Sequence, residues 1–203
     1  MPRHLPGKPL LFGLCLAPLL WLAWRLYADA LGPDPGKEIV LFTGSWGLNL
    51  LLLTLAVSPA RAWLGQPRWL RYRRMLGLFC FFYASLHALC VGTYIVGWQW
   101  GILTEELRER PYMLAGFAAW LTLLPLALTS NRYSVRKLGR RWVSLHRLVY
   151  LALGLALVHL LWLIRSSYLE AALYSLAALF LLYWRLPGRL RPGRGALSPS
   201  RPK

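Results

Sequence analysis

Three of the four histidines lie in apolar parts of the sequence, where a titratable side chain is unusual. They are His87, His146 and His159, whereas His4 lies in the short polar N-terminal stretch. Ionisable groups inside a membrane are costly, and they usually face a cavity, a partner or a cofactor. A neutral imidazole offers a nitrogen ligand without burying a charge. Two such rings that face each other across a helix bundle would form a bis-histidine haem site.

Six apolar segments surround these histidines, each close to the roughly 20 residues needed to cross about 30 Å of hydrocarbon. They are Leu10–Ala28, Val40–Ser58, Met75–Val96, Tyr112–Thr129, Trp142–Ile164 and Tyr168–Leu186. Only 15% of the residues are charged, against about 25% in soluble domains. We therefore predict an all-α integral membrane protein, a six-transmembrane-helix bundle over residues 10–186. Residues 1–9 form an N-terminal tail, and the basic tail 187–203 is predicted to be disordered.

The charges predict the orientation of this bundle. Basic residues cluster in the connecting segments 59–74 and 130–141 and in the C-terminal tail, and none of these segments contains an acid. All seven acids fall on the other side: Asp29, Asp34, Glu38, Glu105, Glu106, Glu109 and Glu170. By the positive-inside rule both termini are cytoplasmic, in a multi-pass inner-membrane protein. The rule also explains the net charge of +17 without a nucleic-acid partner.

The depths of two histidines can be compared, because the third and fifth segments run in the same direction. His87 is 13 residues after Arg74, while His159 is 18 after Arg141 and 12 after Arg147. At about 1.5 Å per residue, His87 lies about 20 Å from Arg74 along the helix. His159 lies about 18 Å from Arg147 or about 27 Å from Arg141. The two imidazoles can therefore share one level in the outer half of the membrane, which favours His87 and His159 as an axial pair.

His146 fits this arrangement less well. It precedes His159 by 13 residues, which rotates the side chain by about 220° on a straight helix. A second bis-histidine haem would also need a partner deeper in the third segment, where Arg73 and Arg74 stand instead. An inner site thus has at most one histidine from these two helices. Pairing of His87 with His146 remains an alternative.

Four arginines flank the cytoplasmic ends of the third and fifth segments, close to His146: Arg73, Arg74, Arg140 and Arg141. Topology alone explains most of the basic residues. Some of these four are also suited to bind anionic groups, such as haem propionates or the phosphate of a flavin.

Other functional classes lack their signatures. There is no GxSxG, HExxH or P-loop motif, and no acid lies mid-segment, as a proton relay in a transporter would require. Two alternatives stay open. One is a transmembrane ferric or cupric reductase on the same scaffold, and the other is a small transporter or assembly factor whose histidines only bridge helices.

Several short motifs occur in order over about residues 30–160. They are Phe42-Thr43-Gly44, Ser58-Pro59, Arg73-Arg74-Met75-Leu76-Gly77-Leu78, Phe82-Tyr83-Ala84-Ser85-Leu86-His87, Arg110-Pro111-Tyr112, Leu128-Thr129-Ser130, Lys137-Leu138-Gly139-Arg140-Arg141-Trp142 and Leu145-His146-Arg147-Leu148-Val149-Tyr150. Together they resemble the MsrQ (YedZ) family, the haem-binding membrane subunits of bacterial protein-methionine-sulfoxide reductase systems. The wider relatives are the ferric-reductase-like transmembrane domains.

The resemblance implies a six-helix b-type cytochrome with one or two haems b, and FMN is attributed to the family as well. Its members pass electrons from the quinone pool or a cytoplasmic flavin reductase to a periplasmic molybdopterin subunit. That separate subunit reduces methionine sulfoxide in oxidised periplasmic proteins. The family's histidines match His87, His146 and His159. We therefore expect an electron-transfer subunit of an oxidoreductase complex, embedded in the lipid bilayer.

Overall fold

The computed structural model describes residues 7–66, 69–163 and 168–185. Within these ranges the chain forms nine α-helices and no strand. The helices are α1 Gly7–Tyr27, α2 Pro35–Leu64, α3 Leu70–Val91, α4 Trp100–Glu109, α5 Pro111–Leu128, α6 Arg132–Leu138, α7 Arg140–His146, α8 Leu148–Leu163 and α9 Tyr168–Tyr183. A π-helical turn, Gly92–Val96, extends α3. The predicted all-α class is confirmed for the part of the chain so described.

Five helical runs are long and apolar enough to cross a membrane, and they coincide with the first five predicted segments. They are Gly7–Tyr27, Pro35–Leu64, Leu70–Val96, Pro111–Leu128 and Arg140–Leu163. The sixth predicted segment corresponds to α9, a shorter apolar helix of 16 residues. The predicted turn around Arg165–Ser167 and the predicted tail 187–203 lie outside the described residues, as do His4 and the rest of residues 1–6. Residues 7–9, predicted as part of the N-terminal tail, form the start of α1.

The connecting segments are more helical than their composition predicts. α2 continues through Pro59 to Leu64, and the segment 97–111 contains α4. Segment 130–141 contains α6, which starts where the side chain of Asn131 accepts a hydrogen bond of 2.7 Å from the backbone of Ser134. Such capping satisfies a free N–H group at the helix start. Polar residues that look like loops in a membrane protein therefore form short helices at its surface.

The fifth segment is not one straight helix. Its helical pattern is interrupted at Arg147, whose N–H bonds to the carbonyl of Ser144, three residues back, at 3.2 Å. His146 is thus the last residue of α7, while His159 lies near the end of α8.

Two closely packed helix pairs, α2 with α3 and α5 with α8, form the centre of the bundle. Leu55, Tyr83 and Leu153 are fully buried there. Polar contacts attach the other helices: the Tyr83 hydroxyl donates to the Cys15 carbonyl of α1 at 2.9 Å, and Tyr174 of α9 donates to Asn49 at 3.0 Å. The two pairs meet chiefly where α3 packs against α5, and this contact brings the histidines of α3 and α8 together.

The hydroxyl of Tyr83 offers a test of this packing. Tyr83→Phe should lower the free energy of unfolding by about 0.6–1 kcal/mol, the usual contribution of one interhelical hydrogen bond in a membrane protein. Thermal unfolding in detergent measures the change. Tyr27→Phe is the matched control, because Tyr27 is 91% exposed. Equal effects from the two substitutions would contradict the packing.

Candidate functional site

The rings of His87 and His159 face each other between α3 and α8. Their centroids are 6.2 Å apart, and their planes are inclined at 75°. With metal–nitrogen bonds of about 2.0–2.1 Å, the centroids of two imidazoles on opposite sides of one metal ion lie about 6.3 Å apart. The separation in this structure is therefore compatible with one metal ion shared by the two rings.

A backbone hydrogen bond sets the tautomer of each ring. Nδ1 of His87 lies 2.9 Å from the carbonyl oxygen of Val40, and Nδ1 of His159 lies 2.7 Å from that of Tyr112. Because a carbonyl only accepts, each Nδ1 carries the proton and donates it. Each Nε2 therefore keeps a lone pair. Metal-bound histidines use the same arrangement, which orients the ring and raises its basicity as a ligand.

Two glycines make room for the rings. A Cβ atom added at Gly44 would lie 3.0 Å from Nδ1 and Cε1 of His87, and one at Gly116 would lie 2.8 Å from Nδ1 of His159. The second distance is shorter than real Cβ contacts allow. Each glycine stands four residues after the carbonyl that holds the ring, so one helical turn supplies both the acceptor and the space.

The two half-sites are built alike. In each, 47 residues separate the histidine from its carbonyl acceptor. The residue numbers differ by 72 between the members of three matching pairs: Val40 and Tyr112, Gly44 and Gly116, His87 and His159. The helix pair α2–α3 thus presents its histidine in the same way as the pair α5–α8. This repeated spacing was the signal in the sequence that would have identified both glycines.

His146 does not join the pair. Its ring stacks on Trp142 with centroids 3.8 Å apart, and its Nδ1 bonds to the Trp142 carbonyl at 3.1 Å. The carbonyl of Leu126 also acts on this ring. Nε2 is nevertheless buried and lacks a hydrogen bond of acceptable geometry within the described ranges. His146 is therefore a separate half-site at the end of α7.

The four predicted arginines differ in exposure. Arg74, Arg140 and Arg141 are exposed, whereas Arg73 is half-buried. The charge of Arg73 acts on both His146 and Arg185. Of the four, Arg73 is thus the residue placed beside the His146 half-site. Arg185, which the sequence reasoning did not single out, belongs to the same region.

A second feature missed in the sequence connects His159 with the surface. The ring of Tyr112 lies 6.0 Å from that of His159, and its hydroxyl accepts a hydrogen bond of 3.1 Å from Arg110. Nε of Arg110 lies 2.9 Å from a carboxylate oxygen of Glu106 on α4. This contact is an ion pair without hydrogen-bond geometry. Polar and aromatic groups therefore lead from His159 to α4.

Comparison with known proteins agrees with this architecture. A family model described as "Ferric reductase like transmembrane component" matches residues 43–157, over half of the chain. The chain belongs to the ferric reductase-like transmembrane family. It is a multi-pass inner-membrane protein. The family match contains Gly44, His87, Gly116 and His146 and ends two residues before His159.

One curated relative resembles this family member over nearly its whole length. It is the "Protein-methionine-sulfoxide reductase heme-binding subunit MsrQ" of Xanthomonas euvesicatoria pv. vesicatoria (strain 85-10). The two are 43% identical over 202 residues, which cover 97% of this chain and 93% of the relative. No solved structure matches the chain.

The close approach of Gly116 to His159 predicts opposite effects for two alanine substitutions. Gly116→Ala should lower the free energy of unfolding by about 1–3 kcal/mol, the usual cost of overpacking. Gly154→Ala, on α8, meets no atom within 4 Å and should raise it by up to about 1 kcal/mol, because alanine favours a helix. Thermal unfolding in detergent compares them, and a Gly116→Ala variant as stable as the wild type would refute the close approach.

Proposed function

We propose that this chain is a b-type haem electron-transfer subunit of a methionine-sulfoxide reductase system, with His87 and His159 as axial ligands. The observation that carries the proposal is the 6.2 Å separation of two rings whose Nε2 lone pairs are both available. The curated relative, a "heme-binding subunit" by name, supports haem as the metal group. The gap left by Gly44 and Gly116 supports a fixed position for both rings.

Haem, when bound, supplies a one-electron redox couple, and two imidazole ligands favour electron transfer over oxygen binding. The task of the protein is then to hold the rings and exclude a competing ligand. The carbonyls of Val40 and Tyr112 fix each ring and its proton at Nδ1. Because α2, α3, α5 and α8 pack closely, neither ring can swing away without disturbing a helix contact.

The non-redox alternative is that both histidines only bridge helices, as in a small transporter or assembly factor. Each does bond to a neighbouring helix. That role requires only one nitrogen per ring, however, and it explains neither the opposed rings nor their metal-compatible separation. A second redox candidate, a ferric or cupric reductase, is favoured by the description of the matching family. It would use the same histidine pair but deliver electrons directly to metal ions.

The direction of electron flow follows from the proposed topology. We place six helices, α9 among them, across the membrane with both termini in the cytoplasm, so that α4 and its acids lie outside. Electrons enter from the quinone pool or a cytoplasmic flavin reductase. They leave past Tyr112 and Arg110 to a periplasmic molybdopterin-containing methionine-sulfoxide reductase subunit. The short ring separation between His159 and Tyr112 supports this exit.

A second cofactor is proposed at the cytoplasmic side. His146 and the half-buried Arg73 are placed to take part in binding either a second haem b or FMN. The exposed residues Arg74, Arg140 and Arg141 would then contact only anionic groups that reach the membrane surface. Catalysis itself occurs on the partner subunit, and this chain supplies electrons.

Histidine substitutions test the central assignment. His87→Ala and His159→Ala should each lower the content of the shared haem about tenfold or more, because even partners that only orient a ligand contribute 10–100-fold to metal affinity. A reduced-minus-oxidised absorption spectrum with haem quantification measures the loss. His146→Ala is the control and should retain this haem. Normal haem content in His87→Ala would refute the assignment.

Thiol labelling tests the topology. In a background with Cys15, Cys80 and Cys90 replaced by Ser, a membrane-impermeant thiol reagent should label Glu105→Cys in intact cells, because α4 faces the periplasm. Arg136→Cys, on α6, should react only after permeabilisation. Both positions are exposed. Labelling of Arg136→Cys in intact cells would reverse the orientation.

A further inference from the structure

A proline within α2 creates a local need for a hydrogen-bond donor. Pro59 has no N–H, so the carbonyl of Leu55, four residues earlier, has no helical donor. Arg185, just beyond α9, supplies one. Its Nη2 donates to the Leu55 carbonyl at 2.7 Å and to the Ser58 hydroxyl at 3.2 Å. One half of the guanidinium therefore has a structural role, which ties the end of α9 to α2.

The other half of the guanidinium has no such role. Nη1 of Arg185 is buried and has no hydrogen-bond acceptor among the residues that the structure describes. The guanidinium lies over the ring of Tyr150, 5.5 Å from its centroid. Arg73 acts on it with a charge of the same sign. Arg185 is half-buried, and a buried donor that stays unused is costly unless an acceptor, best of all an anion, pairs with it.

The chain has no acidic side chain to provide that anion. Its seven acids lie at positions 29–38, 105–109 and 170, at the opposite ends of the helices that carry Arg73, Arg185 and Leu55. Bidentate pairing with carboxylate or phosphate is what the planar guanidinium does best. A bound carboxylate or phosphate would supply the counter-charge that Arg185 lacks among the described side chains.

A second unsatisfied nitrogen marks the same region. His146 Nε2 is buried without a hydrogen bond in the described part of the chain. The charge of Arg73 influences both His146 and Arg185. The two buried nitrogens without hydrogen bonds are thus under the influence of the same half-buried arginine.

We propose that Arg185, together with Arg73, binds the anionic group of a ligand held at the basic end of α2, α8 and α9, beside His146. The group is a carboxylate or a phosphate. Two sources share this chemistry: a cofactor that carries propionates or a phosphate, and a phospholipid headgroup. The cofactor source rests on the proposed function, whereas the lipid source is independent of it.

Three variants distinguish the structural role of the Arg185 guanidinium from its proposed role in anion binding. Arg185→Gln retains an N–H donor for the Leu55 carbonyl but removes the charge, Arg185→Met removes both, and Arg185→Lys restores the charge. Arg61→Gln is the matched control, because Arg61 is an exposed arginine in the last turn of α2. Haem, FMN and phospholipid phosphorus per protein are measured on each full-length protein, purified in a mild detergent.

Loss of a charge-assisted hydrogen bond should weaken ligand binding about tenfold or more. We expect Arg185→Gln to lower one of the three contents relative to Arg61→Gln, and Arg185→Lys to restore part of it. Reduced haem or FMN identifies a cofactor as the source, and reduced phosphorus identifies a lipid. Phosphorus can be compared even in protein without haem, so failure of the proposed function would be recognised separately.

Two outcomes would overturn the proposal. If Arg185→Gln matches Arg61→Gln in all three contents, no anion depends on the guanidinium. If only Arg185→Met loses a ligand, the structural bond to Leu55 is the whole contribution of this side chain.

Discussion

The hydrogen bond from each imidazole Nδ1 to a carbonyl of the neighbouring helix is the interaction on which the paired histidines depend. It fixes the proton, turns the ring, and leaves Nε2 as the atom available to a metal. The carbonyl of Val40 also accepts from the buried Thr43 hydroxyl at 3.0 Å. The acceptor is therefore itself held in place, and two tightly packed helix pairs set the distance between the rings.

Polar groups at the histidine pair and at the basic end of the bundle differ in whether their hydrogen bonds are satisfied. In the histidine pair, each Nδ1 donates to a carbonyl and each Nε2 keeps its lone pair. At the basic end, among the described residues, His146 and Arg185 each have a buried nitrogen without a hydrogen bond of acceptable geometry. A membrane interior offers no water to such groups. The first site is thus organised by the chain alone, whereas the second, in the proposal made above, is completed by a bound anion.

Hydropathy was sufficient to locate five of the spans, and the rise per residue of a helix was sufficient to predict that His87 and His159 share one level. Both predictions need only the local sequence of each helix. Gly116 was missed because its signal in the sequence is the 72-residue offset from Gly44, which has a meaning only once His87 and His159 are compared together with the carbonyls that they bond. Arg185 was missed because its role depends on Pro59, more than a hundred residues away in sequence. The angular argument about His146 assumed one continuous helix, and the break in α-helical hydrogen bonding at Arg147 was not foreseen because Arg147 has no residue-type signal of a helix end.

Electron paramagnetic resonance of the oxidised protein tests most directly whether one iron lies between His87 and His159. Two imidazole nitrogens give a six-coordinate, low-spin ferric haem, and ring planes inclined at 75° should make its signal strongly anisotropic. The account predicts this low-spin signal in the wild type and its absence in His159→Ala. A haem that is entirely high-spin and five-coordinate in the wild type would contradict the shared ligation.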